Sequence, residues 1–287
     1  VIRSIGLRLI LVTALLVLGG CDAIRLGAMN AAGPIAASQR HLYFLLAIVL
    51  IFVAGPVLLL TPLFAWYYRL SNKRSAFRPE WQFSWWVEGL IWIPPAAIVI
   101  GLSFLLWSYT HKLDPYRPIA GRGPAIEVEA VALDWKWLFV YPDQRIATVN
   151  QMAIPVGSAV HISLTSGTVM QAMLIPRLAG QIYAMAGMRT QLNLAASRPG
   201  VYRGANVQYN GAGFAREKFD VIALSPADYR AWLSRIHRAA RPLDQAAYAQ
   251  FFAKTTPPQP IFFSSVPDGL FEKILTRDRP RDAAMPR

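Results

Sequence analysis

Side chains able to bind metals, act as nucleophiles or relay protons are sparse in this 287-residue chain: one cysteine, Cys21, and four histidines, His41, His111, His161 and His237. A single thiol excludes an intrachain disulfide, a cysteine-pair zinc site and any metal centre bridged by two thiolates. The histidines are far apart, and only His161 falls in a strand-like alternating stretch, so each reads as a core or surface residue. Glu88 has the most unusual neighbourhood. It follows Trp85-Trp86-Val87 and opens a long apolar stretch. A carboxylate in such a place is a functional candidate by default, and at the edge of the stretch it can equally be a solvated group.

The surroundings of Cys21 are informative. Arg3 and Arg8 precede an apolar run over residues 9–18, the length of a signal-peptide core. Leu18-Gly19-Gly20-Cys21 then resembles a lipobox, in which small residues give a peptidase access to the bond before a cysteine that carries diacylglycerol. The expectation is a removable leader over residues 1–20 and lipidation at Cys21. The alternative is a buried thiol ending an apolar helix.

The elements that must position these groups begin in the apolar first third. Hydrophobic residues make up 54% of the chain and charged ones only 16%, with mean hydropathy +0.33. Soluble chains usually carry about 25% charged residues. Two stretches, residues 41–67 and 87–109, can each cross ~30 Å of hydrocarbon as a helix. Pro56, Pro62, Pro94 and Pro95 fall inside them. Neighbouring segments can satisfy the carbonyls that such prolines free. Tyr67, Tyr68, Trp81, Trp85, Trp86 and Trp107 gather at the ends, as interfacial anchors do. Arg69, Lys73, Arg74 and Arg78 place the linker inside the cell, a modest signal because Lys112, Arg117 and Arg122 follow the second span. A lipidated Cys21 would lie on the outer face, and two spans return the chain there. The expected order is a leader (1–20), an outer N-terminal segment (21–40), a transmembrane hairpin (41–110), an outer domain (111–224) and a tail (225–287). The formal net charge is +13. An outer domain excludes nucleic acid as partner and leaves a solvated basic surface with some attraction to anionic lipid.

Strand patterns dominate the outer domain. Ile126, Val128 and Ala130 alternate with Glu127 and Glu129, and Val160, Ile162 and Leu164 alternate with His161 and Ser163. Leu192/Leu194 and Phe219/Val221 continue the theme, and Pro155-Val-Gly157, Arg198-Pro-Gly200 and Asn210-Gly-Ala-Gly213 mark turns. Short strands separated by such turns predict a β-sandwich. In the tail, Ser225, Pro226 and Asp228 predict a helix start, with Tyr229, Trp232, Leu233 and Ile236 as its apolar stripe. A second helix is expected over residues 244–254, before Pro257-Pro-Gln-Pro260 and the aromatic Ile261-Phe-Phe263.

Several motifs carry a family resemblance. Asp134-Trp-Lys-Trp-Leu-Phe-Val-Tyr-Pro142 resembles the tryptophan-rich segment of haem–copper oxidase subunit II. Ile175-Pro-Arg-Leu178 and Gln181-Ile-Tyr-Ala-Met-Ala-Gly-Met188 are similar to that family's next stretch, and Gly200-Val-Tyr202 and Asn210-Gly-Ala-Gly-Phe214 fall where it places a metal-ligand loop. The resemblance spans nearly the whole chain and in its details is closest to the quinol-oxidising branch. It implies a two-span helical hairpin, a cupredoxin-like β-sandwich and a C-terminal helical, aromatic-rich tail.

In copper-bearing members the loop reads Cys-x-Glu-x-Cys-x-x-x-His-x-x-Met, with another histidine upstream. By resemblance the matching positions here are Asn206, Gln208, Asn210, Phe214 and Glu217, with Gln171 in place of the earlier histidine. No thiolate or imidazole remains, and amides are a poor donor set for copper. The resemblance therefore implies no cofactor in this chain. Haems and copper are expected in a partner, subunit I, alongside smaller membrane subunits. Electrons are expected from ubiquinol in a proton-pumping oxidase of the bacterial inner membrane. Trp135 and Trp137 would lie near the electron path of the copper-bearing relatives, with aromatic packing as the plainer reading. Glu88 matches a glutamate at the mouth of a proton channel of subunit I. Two rivals remain: a copper-binding cytochrome c oxidase subunit, and a free-standing lipoprotein of binding or assembly type.

Overall fold

The computed structural model describes residues 27–73, 79–121, 123–244, 247–248 and 253–277. Cys21 and the expected leader lie outside these residues, as does most of the expected helix over 244–254. The chain divides into two compact units, Gln39–Asp114 and a second containing Pro115 onward together with the N-terminal residues to Ser38.

The first unit is a helical hairpin. Helix α1 (Pro34–Tyr67) and helix α2 (Trp85–Lys112) are each long and apolar enough to cross a membrane. α1 starts ahead of the expected residue 41 because Pro34 suits a first helical turn, and the polar Ser38-Gln39-Arg40 that follows hides that turn from a hydropathy reading. Pro56 and Pro62 lie within α1, and Pro94 and Pro95 within α2. The ring Nδ1 of His41, early in α1, lies 2.8 Å from the Tyr109 hydroxyl near the end of α2, so the two helices run antiparallel. Ile51, Phe52, Leu58, Leu59 and Phe104 face outward. Such a continuous apolar exterior is stable only in apolar surroundings.

The second unit is the expected cupredoxin-like β-sandwich. Its strands are β1 (Gly123–Leu133), β2 (Lys136–Tyr141), β3 (Ile146–Val149), β4 (Gln151–Pro155), β5 (Ser158–Ser166), β6 (Gln171–Ile175), β7 (Ala179–Ala184), β8 (Thr190–Leu194), β9 (Gly200–Asn206), β10 (Lys218–Leu224) and β11 (Ile261–Phe263). One sheet has the order β11-β3-β2-β1-β5-β8 and the other β4-β10-β9-β6-β7. The alternating apolar positions of β1, β5, β8 and β10 all point into the core between the sheets. There Trp137 and Phe139 pack on Phe219, with ring centroids 5.8 and 5.3 Å away.

Strand β2 breaks the alternation because it is buried on both faces. Trp137, Phe139 and Tyr141 fill the sandwich, while Leu138 and Val140 face a second cluster with Phe263, Phe271, Ile274 and Leu275. That cluster comes from the tail, which belongs to the same unit. Its first helix, α3 (Pro226–Ala239), begins as expected, with the Asp228 N–H donating to the Ser225 hydroxyl at 3.1 Å. Trp232 on α3 stacks on Tyr229 and meets Tyr141 edge-on. The aromatic Ile261-Phe-Phe263 is a strand rather than loose tail: β11 pairs with β3 and extends the first sheet. Helix α4 (Leu270–Arg277) follows, tied to the β7–β8 loop by an Arg189–Glu272 ion pair. The segment before α1 also joins the sandwich, the Ala32 N–H donating to Arg177 O at 2.8 Å and the Ser197 N–H to Ala32 O at 2.7 Å.

Gly204 on β9 tests the aromatic core. A Cβ added there would collide with the Phe219 ring. Gly204→Ala should cost about 1–3 kcal/mol, the usual penalty for overpacking. Thermal melts of the purified chain should show this loss, and Phe219→Leu should reduce it in the double variant.

Candidate functional site

At one end of the sandwich, the β1–β2 turn meets the long loop between β9 and β10. The turn is short, and Trp135 takes a left-handed φ of 65° there. Its indole lies over Gly211 and Gly213, and its Nε1 donates to Asn210 O at 3.3 Å. A side chain at Gly213 would collide with the ring, so the glycines of Asn210-Gly-Ala-Gly213 serve close contact as well as the turn. Trp135 lies before β2, and its left-handed backbone turns it away from Trp137. Trp137 points into the core and packs against Phe219.

Three of the six amide, aromatic and carboxylate positions singled out in the sequence, Asn206, Asn210 and Glu217, join through their side chains. Asn206 and Asn210 each donate a side-chain N–H to one oxygen of Glu217, at 3.0 and 2.7 Å. The Asn206 carbonyl accepts the backbone N–H groups of Ala172 and Gln208, at 3.0 and 2.9 Å, joining the loop to β6. Gln171, beside Ala172, turns its amide to Leu133 O at 3.0 Å on the opposite sheet. Gln208 takes part through its backbone. Phe214 also takes part through its backbone, its carbonyl accepting the Glu217 N–H at 3.1 Å, while its ring lies 5.7 Å from that of Tyr209.

Two charged groups are buried beside this network, and sequence reasoning weighed neither as such. Glu217 is 1% exposed. Loss of water pushes its carboxyl up to about 7, against the opposing pull of the Asn206 and Asn210 hydrogen bonds; the Asp134 charge adds to the rise and the Lys136 charge opposes it. Lys136 is equally buried, and burial lowers its ammonium against the attraction of Asp134 and Glu217. It donates to Ala253 O at 2.7 Å, Thr255 O at 3.3 Å and the Thr255 hydroxyl at 3.0 Å. The signal for Lys136 was a single charge in an otherwise apolar run, Trp135-Lys-Trp-Leu-Phe-Val. Its partner lay more than a hundred residues away and carried no local mark.

This donor set does not fit a copper pair. Copper favours thiolate and imidazole. Here the positions offer neutral amides, a phenyl ring and one carboxylate, and the Asn206 and Asn210 amides are already engaged by that carboxylate. Among the described residues no three His, Cys, Asp or Glu side chains come together as a metal cluster. What the arrangement can do chemically is hold a loop in place and bind one proton near neutral pH.

Glu88 lies in the first turn of α2, in the helical unit. Its carboxylate accepts the Trp92 indole N–H at 3.0 Å, one turn further on. The histidines do not gather: His161 meets Asn193 at 3.0 Å and His111 the Trp107 carbonyl at 2.8 Å.

The Glu217 carboxyl should titrate with a midpoint near 7. Infrared difference spectra of the full chain across pH 5–9 should show a protonated-carboxyl band that disappears in Glu217→Gln. Because the folded-state value is raised, the folded chain holds the extra proton, and the wild type loses stability as pH climbs from about 4.5 to 7. Glu217→Gln lacks that loss. Its melting temperature relative to wild type should be higher at pH 8 than at pH 5.

The chain was compared with known proteins. Residues 107–216 match the family model described as cytochrome C oxidase subunit II, periplasmic domain. The cytochrome bo(3) ubiquinol oxidase subunit 2 of Pseudomonas aeruginosa is 39% identical over 91% of this chain and 78% of its own length. The ubiquinol oxidase subunit 2 of Acetobacter aceti is 39% identical over 91% and 85%, and that of Buchnera aphidicola subsp. Baizongia pistaciae is 36% identical over 95% of both chains. Among solved structures, the periplasmic domain of subunit II of cytochrome oxidase from Bradyrhizobium japonicum gives a TM-score of 0.38 at 17% identity, covering 46% of this chain and 98% of that one. With its two apolar helices and its sandwich, the chain belongs to the family of ubiquinol oxidase subunit 2 and is a membrane-anchored subunit of a terminal ubiquinol oxidase.

Proposed function

We propose that this subunit carries no redox centre and serves the oxidase by scaffolding and by proton uptake. The observation that supports this most is the Asn206–Glu217–Asn210 network, which takes up the positions where copper-bearing relatives present metal ligands. Without such a centre the chain has no means of accepting electrons from cytochrome c. Electrons then pass from ubiquinol directly to subunit I, which holds the haems and copper, and the complex reduces oxygen to water while pumping protons. The sandwich stands outside the cytoplasm, in the periplasm, and Cys21 is lipidated and adds an acyl anchor to the two helices. That anchor is secondary, because two membrane-crossing helices outweigh acyl chains.

Glu88 is assigned to proton uptake. A carboxylate in the first turn of a membrane helix can collect protons from water and pass them to polar groups in a neighbouring subunit. The Trp92 N–H fixes its orientation without neutralising it. The rival role, a solvated edge residue, predicts no kinetic effect.

The test is the complex purified through a tag on this chain. It should oxidise ubiquinol and leave reduced cytochrome c untouched. Glu88→Ala should slow turnover several-fold with haem content and assembly intact, Glu88→Asp should be milder, and quinol affinity should not change. Wild-type turnover in Glu88→Ala would remove the proton-uptake role. Oxidation of cytochrome c would overturn the absence of a redox centre.

A further inference from the structure

The sandwich is left open along one side, between the free edge of β4 and the added strand β11. Helix α3 lies over this opening and leaves a cleft of about 760 Å³. Leu224, Trp232, Ile236 and Phe262 make its apolar walls, and Arg235 and Arg241 stand at its rim. Among the described residues no carboxylate lines it. The volume falls in the range of about 300–1,000 Å³ typical of small-molecule sites.

A second, smaller cleft of about 270 Å³ meets the first at Pro260. It is polar and basic, lined by Arg203, Arg216 and Lys218 with one acid, Asp220. Among the described residues none of these five cations has a carboxylate within ion-pair distance. An apolar trough with two arginines lining it, and a basic cleft beside it that shares Pro260, matches an amphiphile with a long alkyl chain and an anionic head.

We propose that this double cleft binds an anionic phospholipid, with an acyl chain against Trp232 and Phe262 and the phosphate held by Arg235 and Arg241. The choice of a lipid over a free anion rests on the apolar walls, which a small anion would leave uncovered. A membrane-anchored chain is also never far from lipid, which raises the local concentration of such a ligand. Nothing in the oxidase reading requires this site, so the two stand or fall separately.

The full chain in uncharged detergent is photolabelled with phosphatidylglycerol carrying a diazirine on its acyl chain. Phosphatidylcholine with the same tail is the control. Phosphatidylglycerol should label peptides containing residues 222–241 and 260–262, and should do so at least about fivefold more than phosphatidylcholine, the preference expected from one basic group at a lipid phosphate. Arg235→Gln with Arg241→Gln should abolish the preference while the chain stays folded, with a melting temperature lowered no further than by Arg241→Gln alone, which loses the contact with the Phe263 ring. Leu224→Trp, which fills the trough, should abolish labelling by both lipids. Equal labelling by the two lipids would show only an apolar contact and overturn the proposal. So would labelling confined to other segments, or a cleft in the purified complex that is shielded by a peptide of another subunit.

Discussion

Two side-chain amides converge on one oxygen of a buried carboxylate, and the order of the sandwich end depends on that junction. Asn206 closes β9 and Asn210 begins the glycine turn, while Glu217 immediately precedes β10. Joining the three fixes the ends of the loop that connects neighbouring strands. The loop then presents Gly211 and Gly213 to Trp135, and through Ala172 it is tied to β6. An unmatched buried carboxylate would cost several kcal/mol. Here the cost is moderated by two donors, by the nearby Lys136 charge and by proton uptake near neutral pH. In the copper-bearing form of this fold, metal–ligand bonds would crosslink the same positions. In this chain hydrogen bonds to one carboxylate tie those positions together.

Lys136 extends the same logic to the tail. Its ammonium draws the carbonyls of Ala253 and Thr255 toward the β1–β2 turn, on the outer face of the sheet. Downstream of that point, β11 lengthens the sheet and α4 closes the second apolar cluster. The tail is therefore a structural layer of the domain. It shields a face of β2 that would otherwise expose Leu138 and Val140.

Much of this was legible in the sequence. Alternation in β1, β5, β8 and β10 is a local property of a half-buried strand, and each apolar position read from it is in the core. The Ser225-Pro226-Asp228 helix start is equally local. That β2 is buried on both faces was not read from the sequence, because the elements covering its outer face, β11 and α4, arrive from over a hundred residues away. The loop positions came from the family resemblance. Their chemistry did not, because an Asn or Glu in a turn reads as solvated until the fold removes the water. Whether Asn206 would face Glu217 depends on the register of β9 against β10, which pairs Lys218 with Ala205.

On the proposed reading, a carboxylate–amide junction holds the loop where copper-bearing relatives present metal ligands. Copper binding tests it most directly: metal analysis of the purified chain, followed by thermal melts with and without added copper. A ligand that binds only the folded state must raise the melting temperature. The account predicts no stoichiometric copper, a melting temperature indifferent to copper, and a lower one in Glu217→Ala. Copper bound in stoichiometric amount, with a melting temperature that rises on its addition, would contradict it.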